Sequence, residues 1–430
     1  MALTGRAALL AACAAVLIFL LPYGWLLLAV DATLLGAVLT DVALAISPGV
    51  IKLARSGATA VRLGESAEVH LRLVNPTGRP LRLVVRDGWP PSAGASPRTQ
   101  RVIVPPGEQR VLTTALAPTR RGDRIPAFVV LRSLGPLGLA GRQRRRSAPW
   151  TVRVLPGFPS RRHLPAKLAQ LRELTGGAAT LLRGHGTEFD SLREYVVGDD
   201  VRSIDWRATA RRGDVAVRTW RPERDRRVML VLDTGRTSAA RVGDAPRLDA
   251  ALDAALLLAA LASRAGDTVD LIAYDSRLRA AVGKTGPQAL LAAVVNATAT
   301  LEPALVESDM AGMAAEVLRR APRHCLVVLL TALDPAPVEE GLLPALRSLT
   351  ARHAVVVAAV ADPGIADLAA GRGDLRAVYG AAAAERTLAD RASVAARLRR
   401  AGVEVVEAPP AELAPALADS YLARKAAGRL

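Results

Sequence analysis

The second half of the chain alternates short valine and leucine runs with longer stretches of helical pattern, and this alternation limits the possible folds most strongly. Its first segments are a predicted strand at 228–233, a helix at 248–264 and a strand at 268–274. Strands without polar alternation are typical of parallel sheets covered on both faces, and the intervening helices provide that cover. The pattern predicts a doubly wound α/β domain.

The same alternation continues to the end of the chain. Ligands of such sheets bind beyond the carboxyl ends of the strands, so polar residues that follow a strand are candidate site residues. The later segments are predicted as helices at 287–299 and 310–320, a strand at 325–331, a helix at 338–351, a strand at 354–361, a helix at 384–401, a strand at 403–407 and a helix at 411–425.

Two apolar runs occupy the start of the chain. Residues 7–21 are continuously apolar, and residues 25–46 contain only Asp31 and Asp41 as charged side chains. The first run is short against the roughly 20 residues of a comfortable span, which leaves a signal peptide as the alternative. The second run follows at once and favours a transmembrane helical hairpin in the lipid bilayer.

The charges around this hairpin predict its orientation. The turn carries no charge, whereas Arg6 precedes the hairpin and Lys52, Arg55 and Arg62 follow it. Because basic residues favour the cytoplasmic side, we expect both termini and the main body in the cytoplasm, at the inner or plasma membrane.

Between about 58 and 155 the pattern changes to short alternating segments bounded by proline and glycine. Such segments are typical of an antiparallel β-sandwich-like domain, which more often mediates interactions or acts as a spacer than performs catalysis. The predicted strands are 69–74, 81–85, 101–104, 109–116, 125–131 and 150–155.

These patterns together predict a multidomain chain. The expected parts are a transmembrane helical hairpin at 1–52, a β-sandwich-like domain at 53–158, a linker helix with a charged segment at 159–227, and an α/β domain at 228–430.

The charged segment 183–227 contains eleven basic and nine acidic residues. Mixed charges of this density build ion-pair networks, in which guanidinium groups meet carboxylates. Aromatic and β-branched residues lie between the charges, and Gly198-Asp199-Asp200 is typical of a turn. The segment is therefore predicted to fold.

This segment resembles the signature of the domain-of-unknown-function family 58 (DUF58). The resemblance implies a membrane hairpin, a β-rich domain, the signature and a von Willebrand factor A-like domain. The residues that carry the resemblance are 184–186, Glu188-Phe189, 192–195, 198–200, Arg202, 204–206 and 208–211.

The signature holds more charged groups than a surface turn requires, and a buried ion network contributes little net stability. We therefore consider that it joins the signature to the first strand of the α/β domain and presents a docking face; a purely structural network is the alternative. The candidate residues are Arg193, Glu194, Tyr195, Gly198, Asp199, Asp200, Arg202, Asp205, Trp206, Arg207 and Arg211.

A candidate metal site follows the first strand of the α/β domain. The resemblance implies an Asp-x-Ser-x-Ser metal motif here, where the sequence has Asp233, Gly235 and Thr237. Ser308 offers a further hydroxyl, whereas Ala332 stands where the family commonly has an aspartate. Oxygen ligands of this kind suit Mg²⁺. The alternative is a degenerate loop held by Asp233, with no cofactor.

The resemblance implies a membrane-anchored, non-enzymatic adaptor whose expected partner is a MoxR-type AAA+ ATPase, in complex assembly or envelope-linked quality control. A hydrolase that uses the acidic signature and a basic nucleic-acid-binding membrane protein are the alternatives. The net charge of +17 fits an anionic lipid surface as well as nucleic acid. The run Arg142, Arg144, Arg145 and Arg146 lacks interleaved aromatic residues, which disfavours nucleic acid, and is predicted as a solvated loop.

Overall fold

The computed structural model describes residues 2–21, 23–181, 188–196, 199–221, 226–283 and 285–430. The chain has several sheets and an apolar N-terminal region, and it divides into two compact units, Met1–Leu155 and Pro156–Leu430. It is therefore a multidomain protein of mixed helix and sheet.

The first unit begins with two apolar helices. A short strand β1 (Ala2–Leu3) precedes helix α1 (Gly5–Leu20), and helix α2 (Gly24–Leu44) follows. The run Gly24–Val50 is long and apolar enough to cross a membrane, whereas α1 is shorter than a typical span. The exposed side chains of both helices are mainly apolar, as the two apolar runs of the sequence predict.

Strands make up the rest of the first unit. The predicted strand at 109–116 coincides with β8, and the other predicted strands differ mainly at their ends. The strands are β2 (Lys52–Gly57), β3 (Ala60–Arg62), β4 (Ala67–Val74), β5 (Leu81–Asp87), β6 (Ala95–Ser96), β7 (Thr99–Val104), β8 (Gln109–Leu116), β9 (Gly122–Arg124), β10 (Val129–Leu134), β11 (Ala140–Arg146) and β12 (Val152–Leu155).

Two of the sheets share one apolar core. One sheet has the order β1-β11-β10-β5-β7 and the other β2-β4-β8-β6. Leu71 and Leu112 from the second sheet pack in the same buried cluster as Leu83 and Leu131 from the first. Inward-facing residues from two sheets in one core are the arrangement of a β-sandwich.

Two segments of this unit differ from the sequence prediction. The predicted strand at 125–131 begins later in the structure, because β10 starts at Val129. Residues 125–128 lie outside the strand, since Pro126 has no N–H to donate to a sheet. The arginine-rich run predicted as a loop is strand β11, which pairs with β10 from Val129↔Arg146 to Leu134↔Gly141. The charged side chains of this segment favour a solvated loop, but backbone pairing with β10 makes it a strand.

The helices of the second unit agree closely with the predicted pattern, although α11 begins nine residues earlier than predicted because Asp374 caps it. They are α3 (Leu164–Leu181), α4 (Trp206–Arg212), α5 (Arg236–Ala239), α6 (Arg247–Arg264), α7 (Pro287–Thr298), α8 (Met310–Arg320), α9 (Leu343–Thr350), α10 (Pro363–Ala369), α11 (Leu375–Arg400) and α12 (Pro410–Ala426).

The strands of this unit include the buried runs that the sequence predicted. They are β13 (Glu188–Glu194), β14 (Ala216–Arg221), β15 (Arg227–Asp233), β16 (Arg241–Val242), β17 (Ala245–Pro246), β18 (Thr268–Tyr274), β19 (Leu278–Val282), β20 (Leu326–Leu330), β21 (Ala354–Val360) and β22 (Glu404–Ala408).

The main sheet of this unit has the order β19-β18-β15-β20-β21-β22, in which only the edge strand β19 is antiparallel. Met229 and Val231 on one face of β15 share a buried cluster with Met313, Leu346 and Val394 from α8, α9 and α11. Helices α6 and α12 contact each other and other strands of the sheet. The strand order reverses direction beside β15, so the carboxyl end of β15 is the expected place for a site.

Candidate functional site

Asp233 ends strand β15, and its side chain is the centre of a buried hydrogen-bond cluster. The residue is 1% exposed. Its Oδ1 accepts hydrogen bonds from Gly235 N at 2.9 Å and Ser308 Oγ at 2.5 Å. Its Oδ2 accepts from Thr237 Oγ1 at 3.2 Å and Thr331 Oγ1 at 2.6 Å. Four donors therefore compensate the cost of burying this carboxylate.

The glycine at position 235 makes room for one of these donors. A Cβ built on Gly235 would lie 2.1 Å from Ser308 Oγ and 2.9 Å from the carbonyl oxygen of Val306. A side chain at 235 and the serine hydroxyl at 308 thus compete for the same space. The glycine at position 235 and the hydrogen bond from Ser308 therefore depend on each other.

The structure brings together the three predicted metal-site residues Asp233, Thr237 and Ser308, and adds Thr331, which the sequence analysis missed. Thr331 was counted as the last residue of the predicted strand at 325–331. In the structure β20 ends at Leu330, so the Thr331 hydroxyl points to the neighbouring carboxyl end. The sequence signal that could have identified Thr331 is a polar residue at the carboxyl end of an apolar strand.

These residues fit a cluster that satisfies its own hydrogen bonds better than a magnesium site. Each oxygen of Asp233 already accepts two hydrogen bonds. Within the described parts of the chain, no group of three or more His, Cys, Asp or Glu residues is placed to hold a metal. An Mg²⁺ ion would have to displace these donors, and Asp233 is the one carboxylate that accepts their hydrogen bonds. Mg²⁺ binding here stays a prediction.

A second buried carboxylate, Asp275, lies beside this cluster. It accepts hydrogen bonds from Arg279 Nη1 at 2.6 Å, Arg277 N at 3.2 Å and Thr234 Oγ1 at 3.4 Å. Burial alone would raise the pKa of Asp275, but the hydrogen bond from Arg279 and the backbone donors outweigh burial and lower the pKa. The carboxylate is therefore charged and neutralised in place.

A cleft of about 250 Å³ opens next to the Asp233 cluster. Arg236 and Glu307 form an exposed ion pair of 2.7 Å there. The volume is below the roughly 300 Å³ at which small-molecule pockets usually begin. Its other lining residues are Thr237, Ser308, Met310, Ala336, Pro337, Glu340 and Gly341.

The charged signature forms a hairpin with a short helix between its strands. Strands β13 and β14 pair antiparallel from Glu188↔Arg221 to Glu194↔Ala216, with an irregularity between Phe189 and Ser191. Asp205 caps α4 by accepting hydrogen bonds from the backbone N–H groups of the first turn. Gly213 ends the helix with a φ of 83°, which favours glycine.

The described residues of this hairpin form two ion pairs. Arg193 contacts Asp199 at 2.5 Å, and Arg218 contacts Asp205 at 2.7 Å. The hydrogen bond from Arg193 lowers the pKa of Asp199, and the N–H of Ala208, followed by Arg218, lowers the pKa of Asp205. Both pairs are reached by solvent. Exposed pairs of this kind contribute little to stability.

The expected link from these charges to the first strand of the α/β domain is not among the ion pairs found in 188–196 and 199–221. The pairs there join residues of the signature to each other. Asp200 caps a short 3₁₀ turn through the N–H of Arg202 at 3.0 Å. Gly198 lies outside the described residues. The remaining candidates with exposed side chains are Glu194, Arg202, Arg207 and Arg211.

Several large apolar side chains of the signature are exposed among the residues that the structure describes. Trp206 is 68% exposed and Val201 is 63% exposed, and Val196 and Val215 are exposed as well. Backbone hydrogen bonds of 2.8 Å, from Tyr195 N to Val215 O and from Asp205 N to Ala216 O, hold the segments together. We call Val196, Val201, Trp206 and Val215 the signature patch.

The fold and these features define a class: a protein with an apolar-helix β-sandwich unit and an α/β unit that carries an exposed hairpin. The family model described as "Protein of unknown function DUF58" matches residues 191–404, about half of the chain. This match supports the DUF58 assignment that the signature predicted.

Uncharacterized proteins of Mycobacterium tuberculosis (strain ATCC 25618 / H37Rv) and Mycobacterium bovis (strain ATCC BAA-935 / AF2122/97) are each 31% identical to this chain over 194 residues. The matched region is 44% of this chain and 60% of each relative's length.

Likenesses to solved structures are remote. A CARDB domain from Pyrococcus furiosus has 20% identity and a TM-score of 0.19, and the match covers 24% of this chain and 86% of that domain. An α-2-macroglobulin fragment from Escherichia coli has 17% identity and a TM-score of 0.22, and the match covers 26% of this chain and 17% of that fragment. TM-scores this low add nothing to the description of the fold.

Proposed function

We propose that the protein is a membrane-anchored, non-enzymatic adaptor that binds a protein partner through its α/β unit and signature hairpin. The signature patch is the observation that carries the proposal. Exposed apolar side chains that cluster within a polar rim are typical of protein interaction sites, and tryptophan is the residue most enriched at their energetic centres. The ion pairs at Asp199 and Asp205 belong to the same hairpin and supply polar groups for such a site.

The α/β unit is proposed to be von Willebrand factor A-like. The order of its main sheet, the antiparallel edge strand β19 and the position of Asp233 at the reversal of strand order support this assignment. Such a domain fits a binding role, because its carboxyl edge presents a rigid surface built from several loops.

The membrane anchor is proposed to be the hairpin of α1 and α2, with the body of the protein on the cytoplasmic side of the inner or plasma membrane. The length and composition of Gly24–Val50 support one span. The exposed apolar side chains of α1 support a second, shorter one.

The described polar clusters favour binding over catalysis. The hydroxyls of Ser308 and Thr331 donate to a buried carboxylate, and no histidine in the described parts of the chain is hydrogen-bonded to them as a base. Cys325 lies 3.4 Å from His353 Nδ1, but burial raises the pKa of this thiol to about 12. A thiol with that pKa is a poor nucleophile at neutral pH.

The proposed partner is a MoxR-type AAA+ ATPase, in complex assembly or envelope-linked quality control. This choice rests on the DUF58 resemblance, to which the match at 191–404 gives support. The exposed signature patch supplies a surface on which such a partner would bind.

A capture experiment tests the proposal. The tagged full chain is isolated from a detergent extract, with and without ATP and Mg²⁺, as wild type, as Trp206→Ala and as Tyr379→Ala. Tyr379 is 72% exposed on α11 and provides a matched aromatic control. We expect an AAA+ ATPase with the wild type and Tyr379→Ala, and at least about 30-fold weaker capture with Trp206→Ala, as for an interface hot spot. Equal capture by all three chains would overturn the docking role of the patch.

A further inference from the structure

Strand β11 carries a row of arginines on one face, which lies against the last turn of helix α2 and the segment that follows it. Arg142, Arg144 and Arg146 alternate along the strand, so their side chains share a face. Arg142 Nε donates to Val42 O at 3.1 Å, and Arg146 Nη1 donates to Gly49 O at 2.5 Å. The side chain of Arg144 also lies close to Gly49. We call these three arginines the basic face.

The basic face lies beside the C-terminal end of the apolar helix α2. Val42 belongs to the last turn of α2, which ends at Leu44. The apolar side chains of Leu35, Leu39 and Leu44 on this helix are exposed. The hydrogen bond to Val42 therefore holds Arg142 beside the end of the apolar helix, where a membrane span meets the headgroup region of a bilayer.

The charges of the basic face lack a carboxylate partner among the described residues. Asp41 is the acidic residue in the last turn of α2, and it is fully buried. Its oxygens accept hydrogen bonds from Leu137 N at 2.8 Å and from Leu139 N and Ala140 N at 2.7 Å each. Asp41 is thus occupied by backbone donors, and the nearby arginines retain their net positive charge.

We propose that the basic face binds the phosphate headgroups of anionic phospholipids. The proposal rests on the membrane anchoring by α2 proposed above and adds a lipid preference to it. A guanidinium group forms paired hydrogen bonds with phosphate oxygens, and its carbonyl contacts leave other N–H groups to do so. A lipid headgroup is favoured over nucleic acid because the basic face continues directly from an exposed apolar helix.

The test compares phosphatidylglycerol with phosphatidylcholine as ligands of the full chain in neutral detergent, with bound lipid counted by native mass spectrometry. The variant is Arg142→Gln with Arg144→Gln. The matched control is Arg82→Gln with Arg101→Gln, an equal loss of charge on exposed residues of β5 and β7. These strands lie two and three places from β11 in the same sheet, which is roughly 10 to 14 Å away.

The wild type is expected to prefer phosphatidylglycerol. Each arginine near an anionic surface contributes a factor of about five, so the basic-face variant should bind phosphatidylglycerol roughly 30-fold more weakly. The control should change by less than about twofold. An equal loss in the control, equal binding of both lipids by the wild type, or displacement of the lipid by glycerol phosphate or an oligonucleotide would overturn the proposal.

Alkaline extraction of membranes shows whether the lipid-site proposal or the membrane-anchor proposal has failed. A chain that stays in the membrane pellet but shows no lipid preference retains its anchor and loses only the lipid site. A chain released into the supernatant contradicts the anchor itself.

Discussion

Thr331 Oγ1 donates a 2.6 Å hydrogen bond to Asp233 Oδ2, which joins the carboxyl ends of the adjacent parallel strands β20 and β15. The two residues are buried. This hydrogen bond satisfies the Asp233 carboxylate inside the packed end of the sheet. A buried carboxylate without a hydrogen-bond donor would reduce the stability of the fold.

Replacement of Thr331 by valine keeps the shape of the side chain and removes this donor. We expect the free energy of unfolding to fall by about 1–3 kcal/mol, because a buried acceptor loses a partner. Urea denaturation of the detergent-solubilised chain measures the change. Thr350→Val is the control, since that hydroxyl donates within its own helix to Leu346 O at 2.9 Å. A loss as large in the control would contradict the role given to Thr331.

Gly235 and Ser308 should behave as a coupled pair. Gly235→Ala places a methyl group 2.1 Å from Ser308 Oγ and should destabilise the chain. In a Ser308→Ala background the hydroxyl is gone, so the same change should cost less. A double-mutant cycle of unfolding free energies should give a coupling of about 0.5–3 kcal/mol. Strictly additive effects would show that the two positions do not share space.

Gly135 should be intolerant of a side chain. A Cβ there would lie 2.1 Å from Asp41 Oδ1 and 2.3 Å from Asp41 O. Gly135→Ala should therefore open the turn at 135–140 and expose it to protease. Gly78→Ala has nothing within 4 Å and serves as the control. If limited proteolysis cleaves both variants at the wild-type rate, the turn does not depend on contact with Asp41.

Cys325 should be inert in the folded protein. Burial raises the pKa of this thiol to about 12, whereas an unfolded cysteine ionises near 8.5. In a Cys13→Ser chain we expect no maleimide labelling between about pH 7 and pH 9. Rapid labelling in urea is the control for reactivity, and rapid labelling without urea would contradict the buried position.

The same pKa shift gives the sign of a pH effect. Because the folded value lies above the unfolded one, stability linked to Cys325 is complete below about pH 8.5. It is then lost as the pH rises toward about 12. Cys325→Ala should remove this part of the alkaline destabilisation, and an unchanged pH profile would contradict it.

The sequence predicted most elements of the α/β unit, because valine and leucine runs and helical periodicity are local signals. The predicted segment at 268–274 matches β18, and the segment at 310–320 matches α8. The strand β11 was missed because its order depends on pairing with β10, which lies outside its own residues.

The candidate site was predicted only in part. Asp233, Thr237 and Ser308 were found from a resemblance to a motif, whereas Thr331 was hidden at the end of an apolar strand. Trp206 was named among the candidate docking residues without any sequence signal for its exposure, and in the structure it is exposed. Sequence patterns do not distinguish a core aromatic from an exposed one, because that depends on which elements pack over it.

Photo-crosslinking in intact cells tests the adaptor role most directly. A photoreactive amino acid replaces Trp206 in one chain and Tyr379 in another, and crosslinked products are identified by mass spectrometry. The account predicts that position 206 crosslinks to an AAA+ ATPase and that position 379 does not. Crosslinks to that ATPase from position 379 alone, or from neither position, would contradict the assignment of the signature patch as the docking surface.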